Sequence, residues 1–193
     1  MSVDTTTEWE TIERCRLGNA AAFEPLVRAH EGGALVLAEA LLGNRDDAAD
    51  AVQEAFVKAY RALGRLRSGS PFGPWFRTIL RNHCRDRLRS EATRSAVAWE
   101  AEVVDPSVAT LPTAPGELER AELAALVQTA LAGLSPEHRE VLILKEMEGM
   151  SYAEIARETG VPAGTIASRL HHARALLRER VLSGGALTEG ADA

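Results

Sequence analysis

Four side chains able to recognise nucleic acid, Thr165, Ser168, Arg169 and His172, lie close together in a stretch of helical periodicity. Hydroxyls, a guanidinium and an imidazole can reach base edges and phosphates. A second set is basic. Arg77, Arg81, Arg85 and Arg89 recur every four residues, with Asn82 and Asp86 on the adjacent strip. Residues 64–90 hold seven arginines against Asp86 alone, a net of +6 in a chain whose formal charge is -6. A row of this kind suits a phosphate backbone. Ordinary solvated faces mix both signs, and this one does not. The chemistry on offer is recognition. No pairing of His, Cys or carboxylates makes a catalytic or metal site, and the adjacent His171 and His172 point different ways on a helix. Neither a phosphate-cradling Gly loop nor a nucleophile elbow is present. No catalytic residue, metal or cofactor is expected, so the chain is read as a non-enzyme.

The elements that must position the first set are legible. Ser151 followed by Glu154 is a capping box, which starts a helix at Tyr152 with Ile155 and Ala156 as its apolar residues. Gly160 is placed to end it, and Pro162 suits the first position of the next helix. In that second helix Ile166, Leu170, Ala173 and Leu177 form one buried stripe, and Thr165, Ser168, Arg169 and His172 fall away from it. Two short helices around a tight turn make a helix-turn-helix, whose second helix enters the major groove. A solvated face in an ordinary bundle would show a similar stripe; the short first helix and the tight turn favour DNA.

Upstream the pattern is helical throughout, with no competing strand. Trp9–Leu17 is a short helix ended by Gly18, and Asn19 caps the next, in which Pro25 should produce a kink. Gly32-Gly33 should interrupt, leaving Ala34–Leu42 as a separate helix closed by Gly43-Asn44. Asp46–Leu63 buries Ala48, Val52, Ala55, Phe56 and Ala59 and turns Asp50, Gln53, Glu54, Lys58 and Arg61 outward. After a Gly- and Pro-rich loop, Trp75–Ser90 is a helix with Trp75, Ile79, Leu80, Cys84 and Leu88 as its apolar positions. Residues 92–116 lose periodicity and carry Pro106, Pro112 and Pro115, as an acidic flexible linker would. Glu117–Leu131 is a helix, and Ser135-Pro136 starts another with Val141, Leu142 and Leu144 as core.

At 193 residues, with 46% hydrophobic residues, the chain has the composition of a globular protein. Gly32–Gly43, the nearest candidate for a membrane span, is too short and contains Glu39. The N-terminus lacks the basic and apolar regions of a signal peptide, and Cys15 and Cys84 make no disulfide framework. A cytoplasmic location is expected.

Two separated blocks carry a family resemblance. Asp46–Tyr60 resembles region 2.2 of bacterial sigma factors, and Phe72–Arg89, with Trp75, Asn82, Asp86 and Arg87, is similar to regions 2.3 and 2.4. The block from Leu134 to Val141, continued through Gly149, Ser151-Tyr152, Glu154-Ile155-Ala156, Gly164-Thr165-Ile166 and Ser168-Arg169-Leu170, resembles region 4. The short linker matches the extracytoplasmic-function (ECF) group, which lacks region 3. The resemblance implies an all-α protein: a region 2 domain over 8–91, the linker 92–116, a region 4 domain over 117–181 and a disordered tail 182–193. It implies that Asp50, Gln53 and Glu54 bind the clamp helices of the β′ subunit of core RNA polymerase. It further implies that the Arg65–Pro74 loop and the helix carrying Arg77, Arg81, Asn82, Arg85, Asp86 and Arg89 read and melt the -10 element. Thr165, Ser168, Arg169, His172 and Arg174 would contact the -35 element. The implied partners are core polymerase (β′ clamp helices and β flap), promoter DNA and an anti-sigma factor, with the free protein a monomer outside the membrane. Ala49, Ala167 and His172 depart from the usual pattern of acid or base at their positions.

Two other function classes fit a helix-turn-helix. A free-standing regulator needs a dimerisation element and usually an apolar ligand pocket, and neither pattern is visible. A protein-interaction module would use the helices only to hold another regulator. Co-purification with core polymerase separates the sigma-factor reading from both.

Overall fold

The computed structural model describes residues 5–97 and 117–188. Those residues form eight α-helices and two 3-10 turns, with no strand among them. The chain divides into two compact units, Met1–Glu102 and Val103–Ala193. Most of the expected linker, residues 98–116, and the end of the expected tail, residues 189–193, lie outside the described residues.

The first unit contains α1 (Thr5–Arg16), a 3-10 turn (Ala20–Phe23), α2 (Glu24–Leu42), α3 (Arg45–Ala62), a second 3-10 turn (Leu63–Arg65) and α4 (Phe72–Val97). Asn19 caps the 3-10 turn, its side chain accepting from Ala22 N–H. Pro25 produces no kink. It falls in the first turn of α2, where its missing N–H has no helical partner to lose. Nor do Gly32 and Gly33 interrupt α2. Two glycines cost a helix roughly 2 kcal/mol relative to alanine. Leu26 before them and Ala34, Leu37, Ala38 and Leu41 after them are all buried, and that burial outweighs the propensity. Gly43, at φ 76°, ends α2 in the left-handed conformation, and Asn44 Oδ1 accepts from Asp46 N–H at 2.8 Å and Asp47 N–H at 3.1 Å to begin α3.

All four phenylalanines of the chain meet in this core. Phe23 packs edge-on against Phe56, Tyr60 and Phe72, while Phe56 and Phe76 stack at 4.2 Å. Each such pair adds about 0.5–1.5 kcal/mol beyond its burial. The cluster resets the face of α4. Its buried row is Phe72, Phe76, Leu80 and Cys84, whereas Trp75, Ile79 and Leu88 are half-buried. The helix also starts three residues earlier than expected and runs on to Val97.

The second unit contains α5 (Glu117–Ala132), α6 (Pro136–Glu146), α7 (Tyr152–Thr159) and α8 (Ala163–Thr188). Ser135 caps α6 with Pro136 following it, and Val141, Leu142, Ile143 and Leu144 are buried. Arg139, itself buried, donates to the carbonyls of Leu131 at 2.9 Å, Ala132 at 2.6 Å and Leu134 at 3.2 Å. One guanidinium thus caps the carbonyl end of α5 and the turn after it, and seats that helix on α6. The helix α8 continues to Thr188, past the expected domain end at 181, so residues 182–188 are helical.

Candidate nucleic-acid interface

The capping box at α7 is complete. Glu154 N–H donates to Ser151 Oγ at 3.3 Å, and Ser151 N–H donates to Glu154 Oε2 at 2.8 Å. The Ser151 hydroxyl and amide hold the Glu154 carboxyl below the usual carboxylate range. Gly160, at φ 73°, ends α7 in the left-handed conformation that only glycine adopts without strain. Pro162 precedes α8 as its cap residue, one position earlier than expected, and its carbonyl accepts from Ile166 N–H at 3.0 Å. Ile155, Ile166, Leu170 and Ala173 are fully buried and Leu177 half-buried, so the tight turn is held by a packed crossing.

This packing leaves Thr165, Ser168 and His172 exposed and Arg169 half-exposed. At about 100° per residue these four span one contiguous strip beside the buried stripe. Arg174 does not join them. Rotation carries it to the opposite flank of that stripe, where its Nε and Nη2 donate to Glu146 Oε1 at 3.1 and 2.6 Å. The His172 ring stands 6.5 Å from that of His138 on α6, edge to face. At the same helix start, the Glu137 carboxyl is held below its ordinary range by its own backbone amide and the Ser135 hydroxyl, with smaller help from Arg169.

In the first unit α3 presents two faces. Ala48, Ala51, Val52, Ala55, Phe56 and Ala59 are buried, and Asp50, Gln53 and Glu54 lie exposed on the far side with Val57 among them. Glu54 is tied to α4: its Oε2 lies 3.3 Å from His83 Nε2, and Lys58 Nζ lies 2.5 Å from His83 Nδ1. Asp47 and Arg87 form a further ion pair between these two helices.

On α4 the arginines do not make the single exposed ridge expected. Arg81 is buried, 6% exposed, and its Nη2 donates to Thr78 Oγ1 at 3.1 Å. Nor can the four share one face. Four residues turn a helix by about 400°, so a row of this spacing slips about 40° around the helix at every step. The exposed positions are Asn82, Asp86 and Arg89, with Arg77 and Arg85 half-exposed; Arg85 Nη1 donates to Asn82 Oδ1 at 3.2 Å.

Residues that no local signal disclosed hold the preceding loop. Arg16 of α1 donates to Leu63 O through Nε at 3.2 Å and Nη2 at 2.8 Å, and also to Leu66 O. Glu8 of the same helix, 8% exposed, accepts from Phe72 N–H at 3.1 Å and faces His30 Nε2 at 3.1 Å. Contacts of this kind join residues 22 to 64 positions apart, beyond the reach of any spacing rule.

Cys15 and Cys84 are both buried, and burial pushes the Cys84 thiol up to about 12. Among the described residues there is no cluster of His, Cys, Asp and Glu able to hold a metal, and no helix long and apolar enough to cross a membrane.

Comparison with known proteins accounts for both units. Residues 26–94 match the family model for Sigma-70 region 2, and residues 124–177 match that for Sigma-70, region 4. The RNA polymerase sigma-H factor of Pseudomonas aeruginosa is 33% identical over 86% of this chain and 89% of its own. The ECF RNA polymerase sigma-E factor of Escherichia coli is 32% identical over 91% of this chain and 94% of its own. The chain belongs to the ECF sigma factors. A solved sigma factor RpoE, in complex with the anti-sigma factor NepR from Bartonella quintana, superposes with a TM-score of 0.63 at 30% identity, covering 82% of this chain and 96% of that one. CnrH, in complex with the cytosolic domain of CnrY, gives a TM-score of 0.52 at 29% identity over 97% and 99% of the two chains.

As an ECF sigma factor the chain is a promoter-specificity subunit: it binds core RNA polymerase and recognises and melts promoter DNA to start transcription. The matched region 4 model covers the helix-turn-helix, and the region 2 model covers α3 and most of α4. A free-standing regulator is not favoured.

Proposed function

We propose that the work of this sigma factor is divided among three surfaces. The exposed face of α3, with Asp50, Gln53 and Glu54, docks on the clamp helices of the polymerase β′ subunit. The loop before α4, with Asn82, Arg85, Asp86 and Arg89, reads and opens the -10 element. Thr165, Ser168, Arg169 and His172 on α8 enter the major groove at the -35 element. Arg77, Arg81 and Arg174 support these surfaces from their flanks. The observation that carries the division is that each set lies on a face its helix leaves uncovered while the opposite face packs into a core.

Region 4 also docks on the β flap, and an anti-sigma factor holds the protein in reserve, as the relative solved with the anti-sigma factor NepR suggests. The free protein is monomeric and cytoplasmic, catalyses nothing itself, and takes no cofactor. It binds DNA poorly alone, because a chain of net charge -6 has little non-specific attraction for phosphates. Gel-shift titrations at fixed salt, with and without core enzyme, test this. Selective binding is expected only with core present; tight selective binding by the isolated chain would reinstate the free-standing regulator.

A further inference from the structure

The segment from Leu63 to Pro71 links the two helices on which this unit's partners are proposed to act. It carries Arg65 and Arg67, both exposed, and no acid. Within it Leu66 is buried, Gly69 takes φ 75°, and Ser70 N–H donates to Arg67 O at 3.1 Å. These contacts shape the loop, and Leu66 seats its middle in the core. Its two ends are fixed from outside, by one helix.

At the start of the loop, the Arg16 guanidinium takes the carbonyls of Leu63 and Leu66. It is itself steadied by Glu13 at 2.7 Å and by the Trp9 ring, whose centroid lies 4.8 Å away. At the end of the loop, Glu8 takes the first amide of α4, and its other oxygen faces His30. The signs of charge match the helix ends they meet: a cation at the carbonyl end following α3, a carboxylate at the amide end of α4. Both groups lie on α1, which supplies no residue to the three proposed surfaces.

We propose that Glu8 and Arg16 are positioning residues for promoter opening: from α1 they hold the two ends of the 63–71 loop so that Arg65 and Arg67 face the separating strand. This rests on the assignment of that loop to the -10 element. Without the clamp the loop keeps its composition but loses its place, and the cost falls on strand opening. Core binding uses the exposed face of α3 and is spared.

The test uses holoenzyme and two readouts, affinity for core polymerase and open-complex formation on duplex promoter followed by permanganate reactivity of unpaired thymines. Arg16→Met should leave core affinity within about twofold and lower opening about tenfold, the scale of losing a charge-assisted contact. Arg16→Lys, the milder change should Arg16→Met not fold, should also open poorly, because an ammonium lacks the fork that spans two carbonyls. Glu8→Ala should behave like Arg16→Met, and Glu8→Gln should restore opening, since its amide oxygen still accepts from Phe72 N–H. Parallel losses of core affinity and opening would reduce the clamp to fold stability and overturn the proposal, as would normal opening by Arg16→Lys. The paired change Arg65→Ala with Arg67→Ala separates the two levels. If it leaves opening intact, the loop assignment fails and the proposal with it; if it impairs opening while the Arg16 and Glu8 variants do not, the proposal alone fails.

Discussion

Lys58 Nζ lies 2.5 Å from His83 Nδ1, which makes an imidazole the joint between α3 and α4. An ammonium can only donate, so Nδ1 must be the unprotonated nitrogen and Nε2, facing Glu54, carries the hydrogen.

A pH dependence follows. Burial first, and then the Lys58 charge, lower the His83 pKa below the ordinary 6.5. A histidine whose folded pKa is depressed binds more protons unfolded, so its contribution to stability is present above pH 6.5 and is lost as pH falls through the folded value. Urea unfolding of the first unit should therefore show midpoints that drop on acidification below 6.5. The drop should be shallower in His83→Gln. An identical pH slope in the variant would remove His83 from this role.

The capping box offers a local test. Ser151→Ala removes the acceptor for Glu154 N–H and should cost about 1 kcal/mol of second-unit stability in urea unfolding. Ser151→Asp, which keeps an acceptor at the cap, should recover most of it.

Arg139 should be far less forgiving. Its guanidinium fills three carbonyls at the end of α5 inside the fold, and burial lowers its pKa from the ordinary value. Arg139→Met retains the stem and loses the donors, for an expected cost of roughly 2–4 kcal/mol. Arg139→Lys should not restore it, because one ammonium cannot span the same carbonyls. Denaturant midpoints measured on the full chain decide between these outcomes.

On α8 the two arginines should separate. Arg169→Ala, within the exposed strip, should weaken -35 binding by about 1–3 kcal/mol and relax selectivity at one base pair. Arg174→Ala breaks only a surface ion pair with Glu146, screened by solvent, and should leave base preference unchanged. Holoenzyme binding to a panel of single-base -35 variants distinguishes them.

What was legible in the sequence was local. Ser151, Glu154, Gly160 and the Ile166–Leu170–Ala173 stripe each act within a few residues of one another, and together they disclose the helix-turn-helix. Pro25 and Gly32-Gly33 misled because their effect depends on where a helix begins and how well its flanks pack. The arginine row of α4 misled for a related reason: its spacing is visible, but which part of it faces the core was decided by Phe72 and Phe76 meeting Phe23 and Phe56. Glu8, Arg16 and Arg139 gave no signal, since each acts on the backbone of another element.

The slipping arginine row also bears on the grip proposed for the -10 strand. Along the exposed part of α4, Asn82 and the acidic Asp86 stand beside Arg85 and Arg89, so most of the net positive charge offered to a strand comes from Arg65 and Arg67 of the loop. Each phosphate neutralised on a single strand contributes a salt exponent of about 0.7, and few can be neutralised here. Few counterions are displaced when such a surface closes on a strand. Capture of the opened bases should therefore hold its strength as ionic strength rises, while the earlier search along duplex DNA weakens.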